Sequence, residues 1–521
     1  MSDAEKFLEQ ANADFAAGKF SAAAENFRAV IRMHPDVGEL YINLGAALRA
    51  AGDAGGAEKA YLGAIEKRPK SPLAWFNLAN LLRETNRGPE ALAAYRKADS
   101  LQPATAEILN NLGVQLYDMG AIEDALKQYD AALAVRPGYG DALTNRGNAL
   151  QRLGRIDEAE TAVEQALAQA PQNPVYLLNK SSLLAACGRH VDAIAWADKA
   201  IAADPGYTEA RLKRAGLLIQ TGELEAGLRE YETRFQIPNW HRLPAIMPMP
   251  AWRGEDIAGK SLLLWNEQGF GDALMYARYI PILQDMGVRV SVMVESALMR
   301  LFKTSFDDVA VFDLKGLPGN ADLHASLMSL PHLMRTTMQT IPADVPYLFP
   351  TPGDIRIWRE DMIALCNGKP AVGLIWAGNP GQSHDYTRSM TPDRVQPLLA
   401  RNDICLFNLL IGPRGDEIRD ARLIDVRDRL GDFAATAALM QALDLVISVD
   451  SAPAHLAGAL AKPLWVALSF DPDTRYFLGT DENPWYPSAT LYRQTAPGDW
   501  EGVMARINAD LNVFIRTKAK S

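Results

Sequence analysis

The chain has 521 residues, with 53 Lys and Arg against 63 Asp and Glu and a formal net charge of −10. One domain holds ~100–200 residues, so two to four are expected, and the acidic balance argues against nucleic acid or an anionic membrane as a main partner. No apolar run reaches the ~20 residues that span a bilayer, and the opening Met1-Ser-Asp-Ala-Glu-Lys6 has neither a basic nor an apolar region, so a cytoplasmic protein is expected. Cys187, Cys366 and Cys405 are odd in number and far apart, and read as reduced packing residues rather than a disulfide or zinc framework.

The first half repeats itself. Prolines stand at 35, 69, 103, 137, 171 and 205, a spacing of 34 residues without insertion, which is the tetratricopeptide period. Within one unit Tyr41, Leu44, Gly45, Leu48, Ala57, Tyr61 and Ala64 take the places where two antiparallel helices touch, and Leu112, Gly113, Leu116, Ala125, Tyr129 and Ala132 repeat the pattern. Small residues let the helices cross closely, large ones fill the gap, and the proline ends the second helix. Residues 1–240 are therefore expected to form an α-solenoid of six full units and a weaker seventh. On the same period Asn43, Asn77, Asn111, Asn145 and Asn179 occupy one position of the first helix of each unit, with Lys213 in the sixth place. Stacked, they would make a polar row on the concave face. A carboxamide both donates and accepts, so two uses stand side by side: gripping the backbone of an extended peptide, or bonding within the repeat layer.

The pattern changes around Gly227, Tyr231-Glu-Thr-Arg234 and Ile237-Pro-Asn-Trp240. The stretch Leu243-Pro-Ala-Ile-Met-Pro-Met-Pro-Ala-Trp252 cannot continue a helix, which marks residues 241–258 as a linker. Beyond it, short apolar runs alternate with amphipathic ones. Strands are expected at Ser261–Trp265, Val288–Val294, Ala371–Ile375, Ile404–Leu410, Leu445–Val449 and Pro463–Leu468, with helices such as Asp272–Gln284 and Met390–Leu399. Alternation implies a parallel α/β arrangement. The Pro-rich piece Ile341–Pro352 divides it into residues 259–350 and 351–521, two unequal Rossmann-like lobes with a ligand cleft at the strand C-terminal ends.

Three stretches carry chemistry. The first strand ends in Glu267-Gln-Gly269-Phe-Gly271-Asp272, where glycines let backbone approach a ligand and Asp272 opens the next helix, as a cap or facing the cleft. In the second lobe Gly378-Asn379-Pro380 and Asp385-Tyr-Thr-Arg388-Ser389 supply a turn that can approach phosphate and a guanidinium to clamp it. The stretch Leu445–Leu468 reads as strand, cap at Asp450 or Ser451, Pro453 in the first turn, a small-residue helix carrying His455, a Lys462-Pro463 stop, and a second strand. The free N–H groups and dipole at that helix start make an anion site.

The run Asp450-Ser-Ala-Pro-Ala-His-Leu-Ala-Gly-Ala-Leu-Ala-Lys-Pro463 resembles the donor-site signature of the heptosyltransferase clan of GT-B glycosyltransferases, usually Asp-Thr-x-x-x-His-Leu-Ala-x-Ala-Leu-Gly-Lys-Pro. The segment Glu267–Tyr279 resembles the opening strand-turn of tetratricopeptide-fused relatives. Asp471-Pro-Asp-Thr-Arg475, Trp485-Tyr-Pro487 and Tyr492-Arg-Gln494 resemble further blocks, with Thr474 where relatives carry Trp. Two departures stand out: Gln382-Ser-His384-Asp385 lacks the lysine of the relatives' His-Lys-Asn-Asp, and Leu410 replaces a usual Gln. The resemblance implies a GT-B fold and an inverting, metal-independent glycosyltransferase with Asp272 as base. It implies donor contacts at Gly269, Gly271, Asn379, Arg388, Ser389, Asp450, Ser451, His455 and Arg475. A nucleotide sugar is then a co-substrate, and no metal or other cofactor is expected, since the formal D-x-D at residues 471–473 belongs to a different glycosyltransferase fold.

Asparagine ladders are known from the repeat domain of the O-linked N-acetylglucosamine transferase family. By that likeness Asn43, Asn77, Asn111, Asn145 and Asn179 would hold a polypeptide acceptor. The fused architecture looks like bacterial flagellin-modifying transferases, so the expected reaction is sugar transfer to Ser or Thr of a recruited polypeptide such as flagellin. Two other readings compete. One is a chaperone or adaptor with a degenerate transferase domain; the other is a glycan heptosyltransferase, which leaves the repeats without a task.

Overall fold

A computed structural model of the chain describes residues 2–237, 240–316, 319–382 and 385–518. Pro238 and Asn239 of the break after the seventh repeat, and Ser383 and His384 beside Asp385, lie outside the described residues. By compactness the chain divides between Leu183 and Leu184.

Helices come in pairs from Asp3–Ala16 and Phe20–Met33 onward to Thr208–Gln220 and Leu224–Tyr231. The turn inside each pair needs one left-handed residue, and positive φ recurs every 34 residues at Gly18, Gly52, Asn86, Gly120, Gly154, Gly188 and Gly222. Close helix crossing has an equally local cause. A Cβ on Gly45 would lie 2.4 Å from the Tyr61 ring, and one on Gly113 would lie 2.6 Å from that of Tyr129. These tyrosines are buried and fill the space that the glycines leave.

The repeat pattern runs to Tyr231, close to the expected end, but compactness sets the division earlier. Helices His190–Ala203, Thr208–Gln220 and Leu224–Tyr231 group with the α/β part, because the Phe470–Leu478 segment hydrogen-bonds to His190 and Gln220, and Leu224 and Leu228 join the α/β core. The segment after Tyr231 is pinned rather than free: Arg234 is fully buried and pairs with Glu267.

The α/β part contains two parallel sheets. The first has β1 (Ser261–Trp265), β2 (Arg289–Val294), β3 (Ala310–Asp313) and β4 (Leu323–Ser326) in the order β3-β2-β1-β4. The second has β5 (Ala371–Ile375), β6 (Cys405–Asn408), β7 (Leu423–Asp425), β8 (Leu445–Val449), β9 (Leu464–Leu468) and β10 (Ala489–Arg493), in the order β10-β9-β8-β5-β6-β7. Every pair in both sheets is parallel. The second order is the doubly wound Rossmann arrangement, and the first is its opening half with one strand beyond the switch. Strand order therefore reverses beside β1 and β4 in one lobe and beside β5 and β8 in the other. Those are the two places where such sheets leave a crevice for ligands. One apolar core runs through both lobes, from Leu262 and Leu264 to Leu374, Val446 and Val466.

Two expected helices differ from the observed ones. The run expected at Asp272–Gln284 is broken into Phe270–Tyr276 and Tyr279–Asp285, where Arg278 turns inward. Residues 390–399 form a 3-10 turn, Pro392–Val395, followed by the short helix Gln396–Leu399, because Pro392 and Pro397 interrupt the backbone ladder.

Candidate active site

At the first crevice β1 feeds Asn266, Glu267 and the turn that starts helix Phe270–Tyr276. Glu267 is buried and saturated. Arg234 donates to it twice, at 2.7 and 3.0 Å, Ser326 Oγ at 2.6 Å and Trp240 Nε1 at 2.6 Å. Asp272 is the third residue of the helix and 4% exposed; its carboxylate accepts the Gly269 N–H at 3.2 Å. It thus caps the helix as well as facing the other lobe, where Arg475 binds the same carboxylate. Burial pushes the Asp272 carboxyl above its ordinary range, with Arg475 pulling the other way.

At the second crevice β5 runs into Trp376, Ala377 and Gly378, and the Gly378 N–H donates to Ser389 Oγ at 2.9 Å. A Cβ on Gly378 would lie 2.4 Å from Asp385 Oδ1 and 2.7 Å from Arg388 Nε, so only glycine fits between them. Asp385 is buried and anchors Arg388 at 3.3 Å and Arg414 at 2.8 Å. From there Arg388 reaches to 3.9 Å of Asp450. Asn379 is exposed, and its carboxamide accepts the Gly381 N–H within its own loop.

The anchor stretch folds as the strand, helix and strand that its pattern predicts. Ser451 is the N-cap of helix Ala452–Ala459, but its hydroxyl pairs with Ser448 Oγ at 3.0 Å instead of a backbone N–H. His455 lies one turn in and is 3% exposed, with Nδ1 3.2 Å from the Tyr486 hydroxyl, Nε2 3.9 Å from Asp450, and its ring stacked on Tyr476. Burial, then the charge of Arg475, pushes the imidazole down to about 3, so it is neutral at physiological pH. Asp450 moves the other way: burial, then repulsion from Asp473, raises it to about 6.

The two crevices meet. Helix Phe270–Tyr276 packs on helix Ala452–Ala459, and the bare Cα of Gly271 is the reason it can: a Cβ there would come within 2.9 Å of His455 Cδ2 and 3.5 Å of Ala452 Cα. The expectation that Gly271 makes room for a ligand is corrected accordingly, since the room is taken by His455. The structure gathers buried Asp272, Asp450, Ser451 and His455 and half-buried Gly271, Arg388 and Arg475 into one cluster, leaving exposed Gly269 and Asn379 at its edge. Arg475 is its hub, bound to Asp272 and, at 2.7 Å, to Asp473. Its Nε and the Trp485 Nε1 are buried without a hydrogen-bond partner, beside a small pocket lined also by Met275, Tyr276, Leu224 and Leu228. The carboxylates of the D-x-D diverge: Asp471 meets His190 and Gln220, whereas Asp473 meets Arg475. Among the described residues no group of three or more His, Cys, Asp or Glu is placed to hold a metal ion, and no helix is long and apolar enough to cross a membrane.

In the repeats the asparagine row is partly occupied by its own neighbours. Asn111 donates to Asn80 at 3.2 Å, Asn145 to Asn110 at 2.9 Å, and Asn110 to Asn111 at 3.2 Å. Asn43 is exposed, and Asn77, Asn111, Asn145 and Asn179 are half-buried, so the row remains accessible. The second asparagine line, Asn80 and Asn110, escaped sequence reasoning because it does not keep the 34-residue register. Arg234, the partner of Glu267, was likewise unreadable, since nothing local marks a charge that is paired 33 positions away.

Comparison with known proteins agrees with this layout. The family model for the tetratricopeptide repeat matches residues 8–72, 42–106, 110–174 and 144–208. The model for glycosyltransferase family 9 (heptosyltransferase) matches residues 430–499, which include Asp450, Ser451, His455, Asp473 and Arg475. Protein FlbA of Caulobacter vibrioides is 30% identical over 332 residues, covering 58% of this chain and 54% of that protein. The chain thus spans about half the length of the curated relative it matches. Among solved structures, a tetratricopeptide repeat protein from Parabacteroides merdae is 20% identical with a TM-score of 0.42, over 45% of this chain and 93% of that one. A thermophilic repeat protein from Thermus thermophilus is 26% identical with a TM-score of 0.33, over 35% of this chain and 100% of that one. The chain therefore carries tetratricopeptide repeats followed by a heptosyltransferase-like domain.

Proposed function

We propose that the chain is a protein O-glycosyltransferase, moving a sugar from a nucleotide donor to a Ser or Thr hydroxyl of a polypeptide, such as flagellin, recruited by the repeats. The observation that carries this reading is the ion pair of Asp272 with Arg475, which joins a carboxylate at the first crevice to a cation inside the family 9 match. The chemistry is direct displacement with inversion. Asp272, its carboxyl raised by burial, takes the proton of the acceptor hydroxyl. The hydroxyl oxygen bonds to the anomeric carbon as the bond from that carbon to the phosphate oxygen breaks, and the phosphate leaves with the electron pair. Arg475 has to exchange Asp272 for that phosphate. It then stabilises the departing charge together with Arg388 and the amino end of helix Ala452–Ala459, with no metal required.

Asp272→Asn tests the assignment. Transfer to acceptor, read by intact mass, should be abolished while nucleotide binding persists; retained turnover would remove Asp272 from the mechanism.

A second reading, an adaptor built on a transferase scaffold, is favoured by one feature. Gly271 and His455 are in contact where a donor would enter, and Asp272, Asp450 and Asp473 outnumber Arg388 and Arg475. Calorimetric titration separates the two, because an adaptor gives no saturable heat with any nucleotide or nucleotide sugar.

A further inference from the structure

The loop that carries Arg475 is held from outside its own lobe. Gln220 Nε2 donates to Asp471 Oδ1 at 3.1 Å and to the Pro472 carbonyl at 2.6 Å, while the Gln220 carbonyl accepts the Leu478 N–H at 2.9 Å. His190 Nε2 lies 3.3 Å from the same Asp471 oxygen. Two glycines of the repeats admit the loop's side chains: a Cβ on Gly188 would lie 3.1 Å from the Phe470 ring, and one on Gly216 would lie 3.3 Å from the Thr474 methyl. Lys213 adds its charge, and although burial alone would raise the Asp471 carboxyl, His190, Lys213 and Gln220 together hold it below its ordinary range. Lys213 stands in the register that carries Asn in five earlier repeats. An amide there suits uncharged backbone, whereas an ammonium selects a carboxylate. Two residues beyond Asp471 the chain reaches Asp473 and four beyond it Arg475, and through Arg475 it reaches Asp272.

We propose that Asp471 is a positioning residue: the sixth and seventh repeats grip the Phe470–Thr474 loop so that Arg475 stands at Asp272, and group transfer depends on this grip in cis, apart from any recruitment of acceptor. The inference rests on Asp272 and Arg475 being the transfer site. A loop displaced by about 1 Å at such a site lowers turnover by orders of magnitude.

The test uses full-length Asp471→Asn and Gln220→Leu, with donor hydrolysis by water as the reaction, so that acceptor docking plays no part. Hydrogen exchange of residues 469–478 is measured alongside. Expected are a kcat lower by roughly tenfold to a hundredfold with donor KM unchanged, and loss of amide protection across the loop. Asp471→Glu, which keeps the charge, should recover kcat relative to Asp471→Asn. Unchanged kcat and protection in both Asp471→Asn and Gln220→Leu would overturn the proposal. If the wild-type chain turns over no nucleotide sugar, the transferase reading falls, and the exchange measurement alone decides whether the repeats hold the loop.

Discussion

Glu267 and Asp450 are both buried carboxylates at the carboxyl end of a central strand, β1 in one lobe and β8 in the other, and they are treated in opposite ways. Glu267 accepts four hydrogen bonds, two of them from Arg234, and although burial would raise it, these partners hold it below its ordinary range. Asp450 has Arg388 and His455 no closer than 3.9 Å and Asp473 repelling it, and it rises to about 6. A saturated ion pair is a bolt. A carboxylate held away from its ordinary protonation state is a group kept for chemistry or for a ligand that completes its surroundings.

The contrast can be broken most heavily from the Glu267 side. Arg234→Met leaves a buried charge without its main partner and should cost about 3–5 kcal/mol in chemical denaturation. A loss below ~1 kcal/mol would mean that Trp240 and Ser326 suffice. The Asp450 side should respond with the opposite sign. Its folded value lies above the ~3.9 of an unfolded aspartate, so its contribution is full below that pH and is lost as pH rises through about 6. Asp450→Asn should flatten stability between those two pH values and leave the variant more stable at pH 7 by roughly 3 kcal/mol. An unchanged pH slope would show that Asp450 does not titrate between those two values. Gly271→Ala sharpens the comparison where the lobes touch. The new methyl meets His455 at 2.9 Å, and a loss of about 1–3 kcal/mol is expected from thermal unfolding. No loss would indicate that the two helices separate easily.

Legibility followed the range of each interaction. The repeats could be read because their determinants sit within one unit: the left-handed turn position, the glycine facing a tyrosine, the closing proline. β1, β5 and β8 were readable to the residue, being wholly or almost wholly buried and rich in apolar residues. β3 and β7 escaped because they lie at sheet edges and carry only half-apolar faces. β4 and β10, edge strands as well, carry His324, Ser326, Thr490 and Arg493 among their apolar residues, so no apolar run marks them. At the site, motif likeness brought out Asp272, Asp450, His455 and Arg475, which the fold does bring together. It could not show that Gly271 closes on His455, nor that Asp471 turns away from Asp473 toward the repeats. Those facts depend on residues hundreds of positions apart.

Arg278, lying beneath the cluster, donates to the carbonyls of Met275, Pro342 and Trp485 and to the Tyr347 hydroxyl. Tyr347 and Tyr486 also stack on its guanidinium face. A cation engaged on every side, joining segments of both lobes, behaves as a rivet and makes a wide hinge between the lobes costly.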